Sequence, residues 1–257
     1  MGGSTLSQEQ TGALWHTLEI LTHAPRYRTW IFSFFAPYIG SRVLEVGCGM
    51  GHFTALLLQC EMLVPLDVLP VAVETVAQRW GHLPHVYPTL GDFAMPSTVA
   101  HLAARGPFDT VLFLNVLEHI EDDAQALRHA YLLLRPGGYL LLYVPAGPGL
   151  FGTLDTALGH YRRYTRESLL ARVTGAGFDP VFCQPVNALG ALAWWFDGHL
   201  RRYTILPLWQ VRLFNTLVPI LRPAERVLRS MWPGLPGLSL ACVARKPITP
   251  HTTRTEP

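Results

Sequence analysis

The stretch Val43-Leu44-Glu45-Val46-Gly47-Cys48-Gly49-Met50-Gly51 decides the fold. A short apolar strand ends in a turn with glycine at every second position, and the apolar run that follows it, residues 53–58, is typical of a helix. Glycines lack a Cβ atom, so a ligand can approach the backbone there, and helix N-termini favour phosphate-like and nucleotide-like groups. The stretch therefore predicts a nucleotide-like cofactor site at the end of the first strand.

Composition sets the outer limits. With 257 residues, 49% of them hydrophobic and 15% charged, the chain predicts one large globular α/β domain, with or without a cap. A net charge of +2 argues against a general nucleic-acid binder. The four cysteines lie far apart and the histidines show no ligand spacing, so we predict neither a disulfide framework nor a metal site. No apolar run reaches the roughly 18 to 20 residues of a membrane span, and a signal-peptide pattern is absent, which predicts a cytoplasmic location.

Strand and helix patterns alternate along the chain, which indicates parallel strands joined by crossover helices. The predicted elements include the strands Arg42 to Val46, Val86 to Leu90, Phe108 to Leu114 and Leu238 to Ala244 and the helix Gly51 to Gln59. We predict an α/β, Rossmann-like, seven-stranded, mostly parallel sheet with helices on both faces. Three parts are expected: an N-terminal helical lid at residues 1–40, a core at 41–186 plus 237–246, and a Trp/Arg-rich helical cap at 187–236. Pro219 and Pro223 are expected to interrupt any single long helix in the cap.

A series of motifs in a fixed order follows the glycine turn. These are Asp67, Gly91-Asp92, Asn115-Val116-Leu117-Glu118-His119 and Arg135-Pro136-Gly137-Gly138. Together with the turn they resemble the class I S-adenosylmethionine-dependent methyltransferases over about residues 42–144. The resemblance implies S-adenosylmethionine as cofactor, bound at the carboxyl ends of the strands, where open α/β sheets hold their ligands.

The resemblance also implies a role for each motif. The glycine turn would lie against the methionine part of the cofactor, and Glu45 near its ammonium group. Asp67 would accept hydrogen bonds from the ribose hydroxyls and Asp92 would meet the adenine amine, with Val68 or Phe93 against the adenine face. The complete set of expected cofactor contacts is Glu45, Gly47, Cys48, Gly49, Gly51, Asp67, Val68, Asp92, Phe93 and Asn115. Two alternatives stay open: the glycines form only a tight turn, or Asp67 holds the ribose of a nicotinamide cofactor.

A second polar segment, Asp155 to Thr165, follows the fifth predicted strand. It should lie over the cofactor edge of the sheet, and arginines beside tyrosines suit a phosphate, carboxylate or sugar on a substrate. We expect substrate contacts from Asp155, His160, Tyr161, Arg162, Arg163 and Tyr164. His160, Tyr161 and His119 are candidate general bases. The alternatives are that the segment only braces the loop and that Glu118-His119 is structural.

The Asp155 to Thr165 pattern resembles a bacterial branch of these methyltransferases found beside family 2 glycosyltransferases, which implies sugar or lipid-linked acceptors. The cap concentrates tryptophan and arginine, for example in Trp194-Trp195-Phe196 and Arg201-Arg202. Such a cap can rest on an anionic membrane or grip a lipid tail, or it can be an ordinary cap with a core of its own. A peripheral position at the inner face of the membrane is therefore one prediction.

The function predicted from these features is S-adenosylmethionine-dependent O-methylation of a sugar, a lipid-linked molecule or another small molecule. The Asp/Asn-Pro-Pro-Tyr signature of nitrogen methylation is absent, since Asn115-Val116-Leu117-Glu118 stands in its place. The alternatives are methylation of a natural product or quinone-like molecule, a non-catalytic cofactor-binding protein and, more remotely, an NAD-dependent oxidoreductase. The sequence leaves the oligomeric state open.

Overall fold

Seven strands form one sheet in the computed structural model, which describes residues 7–232 and 234–248. The strands are β1 (Arg42–Val46), β2 (Met62–Asp67), β3 (Thr89–Leu90), β4 (Phe108–Leu114), β5 (Leu134–Pro145), β6 (Asp179–Val186) and β7 (Ser239–Arg245). Their order across the sheet is β3-β2-β1-β4-β5-β7-β6. All neighbouring pairs from β3 to β5 are parallel, whereas β7 runs antiparallel to both β5 and β6. The predicted seven-stranded, mostly parallel α/β fold is confirmed.

Helices cover both faces of the sheet. They are α1 (Gln8–Leu21), α2 (Pro25–Phe32), α3 (Thr54–Leu57), α4 (Pro70–Trp80), α5 (Pro96–Ala103), α6 (Asp123–Leu133), α7 (Thr153–Leu158), α8 (Arg166–Gly175), α9 (Ala188–Trp195) and α10 (Leu208–Met231). Buried side chains of α5, α6 and α8 pack on one face of the sheet, and those of α2, α3 and α10 pack on the other. Burial of these apolar residues is the main term that stabilises the two layers.

Turn chemistry explains several boundaries. Asp122 caps α6 by accepting a hydrogen bond from the backbone N–H of Gln125 at 2.8 Å, and Ser7 and Gln10 form a reciprocal capping box on α1. The predicted strand from Val86 to Leu90 is wrong in length, because only its last two residues form β3. Pro88 lacks an N–H group and cannot donate to a strand ladder, so regular pairing begins after it.

The segment after the glycine turn also differs from the prediction of a helix over residues 51–59. Only the four residues of α3 are α-helical. Gly51 has φ of +78°, which lies outside the helical region, so the turn extends to that residue and delays the helix.

The expected interruption of the cap helix by proline is wrong. Helix α10 continues for 24 residues with Pro219 and Pro223 inside it. Both prolines are exposed. Each removes one backbone N–H, and water can hydrate the carbonyl oxygens left without a partner on that side of the helix.

The proposed division into lid, core and cap remains a prediction. Helix α1 packs against α10 through Ile20 and Val211, whereas α2 contributes Trp30 and Ile31 to the core beneath the sheet. Residues 1–6 of the predicted lid and residue 233 of the predicted cap lie outside the described residues. Within the described residues, no helix is both long enough and apolar enough to cross a lipid bilayer.

Candidate active site

A cavity of about 430 Å³ opens at the carboxyl ends of β1 and β2. The first wall comes from the ends of these two strands, the second from the segment after β3, and the third from the segment that joins β4 to α6. The lining includes Val46, Gly47, Asp67, Val68, Asp92, Phe93, Met95, Val116, His119, Ile120 and Gln125. Five of the predicted cofactor contacts therefore face one space, in the order in which the strands lie side by side.

Asp67 connects this cavity with the glycine turn. Its Oδ2 accepts a hydrogen bond from the Gly49 N–H at 2.8 Å, and its Oδ1 accepts one from the Leu69 N–H at 2.9 Å. Burial raises the pKa of Asp67, although these two backbone donors oppose the rise. An ionised carboxylate can accept more than these two hydrogen bonds, so Asp67 at the cavity wall can also accept hydrogen bonds from the two hydroxyl groups of a ribose.

The glycine turn takes its shape from conformations that only glycine adopts readily. Gly47 and Gly51 have φ of +75° and +78°. A Cβ atom at Gly47 would collide with the side chain of Val116, and one at Gly51 would collide with the ring of Trp80. Glycine at these two positions therefore lets Val116 and Trp80 pack directly against the backbone of the turn.

Helix α1 lies over this turn. A Cβ atom on Gly49 would be 3.1 Å from a methyl carbon of Leu18. The methionine end of a cofactor that followed the turn would therefore share this space with Leu18. The lid role of the N-terminal helix remains a prediction.

Five predicted cofactor contacts lie outside the cavity lining, and four of them belong to β1 and the glycine turn. Glu45 is buried on β1 and accepts a hydrogen bond from the Thr54 hydroxyl at 2.5 Å. Burial raises the pKa of Glu45 to about 8, the Thr54 hydrogen bond opposes this rise, and the charge of Asp67 adds to it. Cys48, Gly49 and Gly51 belong to the turn itself. Their contact with a cofactor remains a prediction.

Asn115 marks the end of β4 and is also outside the cavity lining. It is exposed and has φ of +56°, which is uncommon for a residue with a side chain. Its N–H donates to the Tyr143 carbonyl at 2.7 Å. This left-handed residue turns the chain away from the sheet and places the Glu118-His119 pair beside the cavity.

The predicted substrate segment is organised around Asp155, which is fully buried. Oδ1 of Asp155 accepts from Nδ1 of His160 at 2.8 Å and from Nε of Arg163 at 2.7 Å, and its Oδ2 accepts from Nε1 of Trp194 at 3.1 Å. Burial acts to raise the pKa of Asp155, but the hydrogen bond from His160 and the charge of Arg163 hold it below its usual value. Asp155 thus joins the polar segment to the cap.

Most of the other polar groups of the segment also bond within the protein. Arg163 stacks its guanidinium on the Trp194 ring at 4.9 Å and donates to the Ala146 carbonyl. Arg162 donates to the carbonyls of Ile120 and Glu121. The Tyr164 hydroxyl donates to Asp123 at 3.0 Å. These contacts match the bracing alternative, and a substrate role for Arg162, Arg163 and Tyr164 stays a prediction.

His160 differs because one ring nitrogen points toward unpartnered groups. Its Nε2 lies 4.0 Å from Oε1 of Glu118, and its ring meets the His119 ring edge-on with centroids 4.8 Å apart. Glu118 is fully buried, and burial raises its pKa to about 7 although the His160 charge opposes the rise. Burial lowers the pKa of His119 to about 3. Glu118, His119 and His160 are called the buried cluster below.

The structure also brings in residues that sequence reasoning did not assign. Glu118 was recognised only as part of a pair with His119, and its fully buried carboxylate is visible only in three dimensions. Met95, Ile120 and Gln125 line the cavity from loops and a helix start. Their signal in the sequence is position alone, because each follows a strand that ends at the same edge of the sheet.

The sheet order and the cavity at its carboxyl edge define a class I S-adenosylmethionine-dependent methyltransferase fold. A family model described as a methyltransferase domain matches residues 14–182, and the chain belongs to this family. The predicted class and its cofactor, S-adenosylmethionine, are thereby confirmed.

Curated relatives cover part of the chain. The tRNA U34 carboxymethyltransferase of Syntrophotalea carbinolica is 29% identical over 163 residues, which are 58% of this chain and 48% of the relative. The ubiquinone biosynthesis O-methyltransferase of Caulobacter vibrioides is 32% identical over 110 residues, 42% of each chain. The chain thus spans about half the length of the curated relatives it matches.

Solved structures match more of the chain at lower identity. The N-methyltransferase NodS from Bradyrhizobium japonicum, in complex with S-adenosyl-L-homocysteine, has a TM-score of 0.58 and 18% identity over 93% of this chain and 100% of that one. The putative methyltransferase bound to the Trm112 activator of Haloferax volcanii has a TM-score of 0.61 and 14% identity over 96% and 100%. At these identities the match concerns the fold.

Proposed function

We propose that this protein transfers the methyl group of S-adenosylmethionine to an oxygen atom of a sugar, a lipid-linked molecule or another small molecule. The observation that carries the proposal is the convergence of Asp67, Asp92 and the Gly47 turn on one cavity, with the buried cluster at its rim. His119 belongs to both sites, since it lines the cavity and its ring contacts His160. In this proposal the cofactor and the acceptor occupy adjoining sites.

The chemistry asks for alignment and for loss of one proton. The acceptor oxygen displaces the methyl group from the sulfonium, so the enzyme has to hold the two reactants in line. Of the three predicted bases, we favour His160 as the residue that acts at the acceptor oxygen, because Asp155 fixes its ring from the far side. His119, with a pKa of about 3, is too weak a base, and Tyr161 is 44% exposed.

Incubation with labelled S-adenosylmethionine and fractions of host lipids, glycans and small metabolites tests this proposal. We expect label in one of these fractions and a fall in turnover with His160→Asn. Label confined to protein or RNA would contradict the acceptor class. Calorimetry should show binding of S-adenosylhomocysteine and none of NAD; the reverse result would favour the oxidoreductase alternative. Cofactor binding with no methyl transfer to any fraction would favour a non-catalytic role.

A quinone-like acceptor is the second candidate, and one observation favours it. Ubiquinone biosynthesis O-methyltransferases recur among the relatives at 28% to 35% identity. The label should then enter a lipid fraction on an aromatic head group rather than a sugar. The association with glycosyltransferases remains a prediction.

We further propose that the cap docks on an anionic membrane surface, which would bring the enzyme to a lipid-linked acceptor. Helix α10 carries five exposed apolar residues whose spacing puts them within about 40° of one another around the helix axis. They lie opposite the buried Val211 and Val218. The five residues, called the outer stripe, are Trp209, Leu213, Ile220, Val227 and Met231.

Charge supports an anionic partner. The two acids of the cap are already paired, Asp197 with Arg201 and Glu225 with Arg229. In the described part of the chain, the arginines at 202, 212, 222 and 226 have no acidic partner. By the same spacing, Arg212 lies about 80° around the helix axis from the centre of the outer stripe, so an apolar stripe and an unneutralised cation can both meet one bilayer interface. Two exposed apolar side chains on α9, Leu192 and Trp195, add to the apolar surface of the cap.

Vesicle sedimentation tests the docking. We expect binding to phosphatidylcholine vesicles that contain phosphatidylglycerol, and loss of at least tenfold in affinity with Trp209→Ser combined with Ile220→Ser. Leu132→Ser is the matched control, because Leu132 is 69% exposed on α6 and should not matter. Binding that ignores phosphatidylglycerol, or that survives the double substitution, would refute the proposal.

A further inference from the structure

We infer that the buried cluster is a binding site for one divalent transition-metal ion of the Zn²⁺ type. One donor atom from each of Glu118, His119 and His160 lies within 4.8 Å of the other two. The cluster holds two imidazoles and one carboxylate, a donor set that suits such ions and leaves a coordination position open. Ion binding itself is independent of methyl transfer.

The polar atoms of the cluster lack other partners. Both carboxylate oxygens of Glu118 are buried without a hydrogen-bond partner, and so is Nδ1 of His119. Glu118 is 0% exposed. A buried carboxylate with no donor is energetically unfavourable, so native proteins almost always satisfy such a group. The cluster brings together one donor atom from each of three side chains, and two of these side chains carry unsatisfied buried atoms, which identifies a place for a cation.

The outer contacts of the two histidines fit the same assignment. Nδ1 of His160 bonds to the Asp155 carboxylate, which leaves Nε2 facing the cluster. The backbone of Gly159 bonds to the His119 ring, and Nδ1 of that ring is buried without a partner. Histidines that bind metals usually have the second ring nitrogen held in this way by a carboxylate or a backbone carbonyl, because that bond fixes the tautomer and the ring orientation.

The distances permit coordination after a small contraction. Ligand bonds to Zn²⁺ are about 2.0 to 2.2 Å long, so tetrahedral donors lie about 3.4 Å apart. His160 and Glu118 are separated by 4.0 Å, and no pair exceeds 4.8 Å. Movements of less than about 1 Å per donor therefore close the site. Mg²⁺ fits less well, since it prefers oxygen ligands and water.

The role of the ion at the acceptor rests on the proposed function. An acceptor hydroxyl in the open position would have its pKa lowered by the ion, so that it loses its proton to water more readily. His160 would then act on the acceptor through the metal rather than by direct contact. The sequence hides this site because the Glu118-His119 pair and His160 are far apart in the chain and show none of the usual ligand spacing.

Titration of the untagged, chelator-treated protein with Co²⁺ tests the site without cofactor or acceptor. We expect one equivalent to bind, visible absorption bands of a low-coordinate Co²⁺ ion, and a rise in Tm. Glu118→Gln and His160→Asn should each weaken binding at least tenfold and abolish the rise in Tm. Glu121→Gln and His101→Asn, an exposed acid and an exposed imidazole outside the cluster, should leave binding unchanged. Retained affinity for S-adenosylhomocysteine shows that each variant is folded.

Several outcomes separate this inference from the proposed function. No uptake of Co²⁺ or Zn²⁺ by the wild-type protein, or equal uptake by the cluster variants, would overturn the metal site. Methyl transfer that proceeds unchanged in chelator, together with absent uptake, would remove the site and leave the proposed function intact. Stoichiometric uptake by a protein that methylates nothing would keep the site and remove the proposed function.

Discussion

Replacement of Asp67 by asparagine should weaken cofactor binding more than any other single change of an acid at the cavity. The carboxylate accepts two backbone N–H groups, from Gly49 and Leu69, and we expect it to accept ribose hydroxyls as well. An asparagine keeps one acceptor oxygen and turns an NH₂ group toward one of the two backbone donors. Hydrogen bonds to a charged acceptor are worth about 1.5 to 3 kcal/mol. Loss of one such bond and distortion of the turn give about 2 to 4 kcal/mol, or roughly 30-fold to 1,000-fold in Kd.

Isothermal titration calorimetry with S-adenosylhomocysteine measures this effect. Asp92→Asn is the matched control. Asp92 follows β3, the strand beside β2, lines the same cavity and accepts one backbone hydrogen bond, from the Ala94 N–H at 2.9 Å. Its affinity should fall by only about fivefold, close to 1 kcal/mol. His119→Ala should change cofactor affinity far less than Asp67→Asn. If Asp67→Asn binds within threefold of the wild-type protein, or if the three variants are equally weakened, the roles assigned here are wrong.

Three further predictions concern stability. Gly47→Ala should lower the free energy of unfolding by at least about 1 to 2 kcal/mol in urea titrations, because φ is +75° there and the new methyl group would collide with Val116. Gly12→Ala in α1 is the control: it has open space around it and should not lower the stability of the protein. The pKa of Glu45 in the folded state is about 8, above its unfolded value, so between about pH 4.5 and 8 the folded state keeps a proton that the unfolded chain has lost. The free energy of unfolding should therefore fall as pH rises through this range. Glu45→Gln should flatten this slope in thermal unfolding, and an unchanged slope would argue against a protonated Glu45. Arg163→Met leaves the Asp155 carboxylate buried without its charged partner and should cost about 3 to 5 kcal/mol, so a loss below about 1 kcal/mol would contradict a bracing role.

The sheet was predictable because its signals are local and repeated. Strands β1, β2 and β4 are apolar runs that end at Gly47, Asp67 and Asn115, and the positions of β1, β4 and β7 agree with the predicted strands to within one residue. The errors lie where one residue overrides a pattern. Pro88 shortens β3, Gly51 delays α3, and the two prolines leave α10 unbroken on its exposed side, where water can hydrate the freed carbonyls.

The site was predictable in its positions and less so in its contacts. Sequence order identifies Asp67 and Asp92, because strand ends meet at one edge of a parallel sheet. It does not reveal that Arg163 and Tyr164 bond inward, since their partners Asp155 and Asp123 are brought close only by the folding of the segment after β5. For the same reason, the unsatisfied carboxylate of Glu118 has no trace in the linear sequence.

The place where the cap enters the sheet has a consequence for how such a protein can diversify. Val186 at the end of β6 and Ser239 at the start of β7 are register partners, and the Leu238 N–H bonds to the Asn187 carbonyl at 3.0 Å. The whole cap is therefore the loop of a β-hairpin, and its two ends stay together whatever lies between them. Exchange of this loop leaves the strands that carry Asp67 and the glycine turn untouched. The proposed membrane contact can therefore change as one inserted unit, while the strands that line the cofactor cavity are kept.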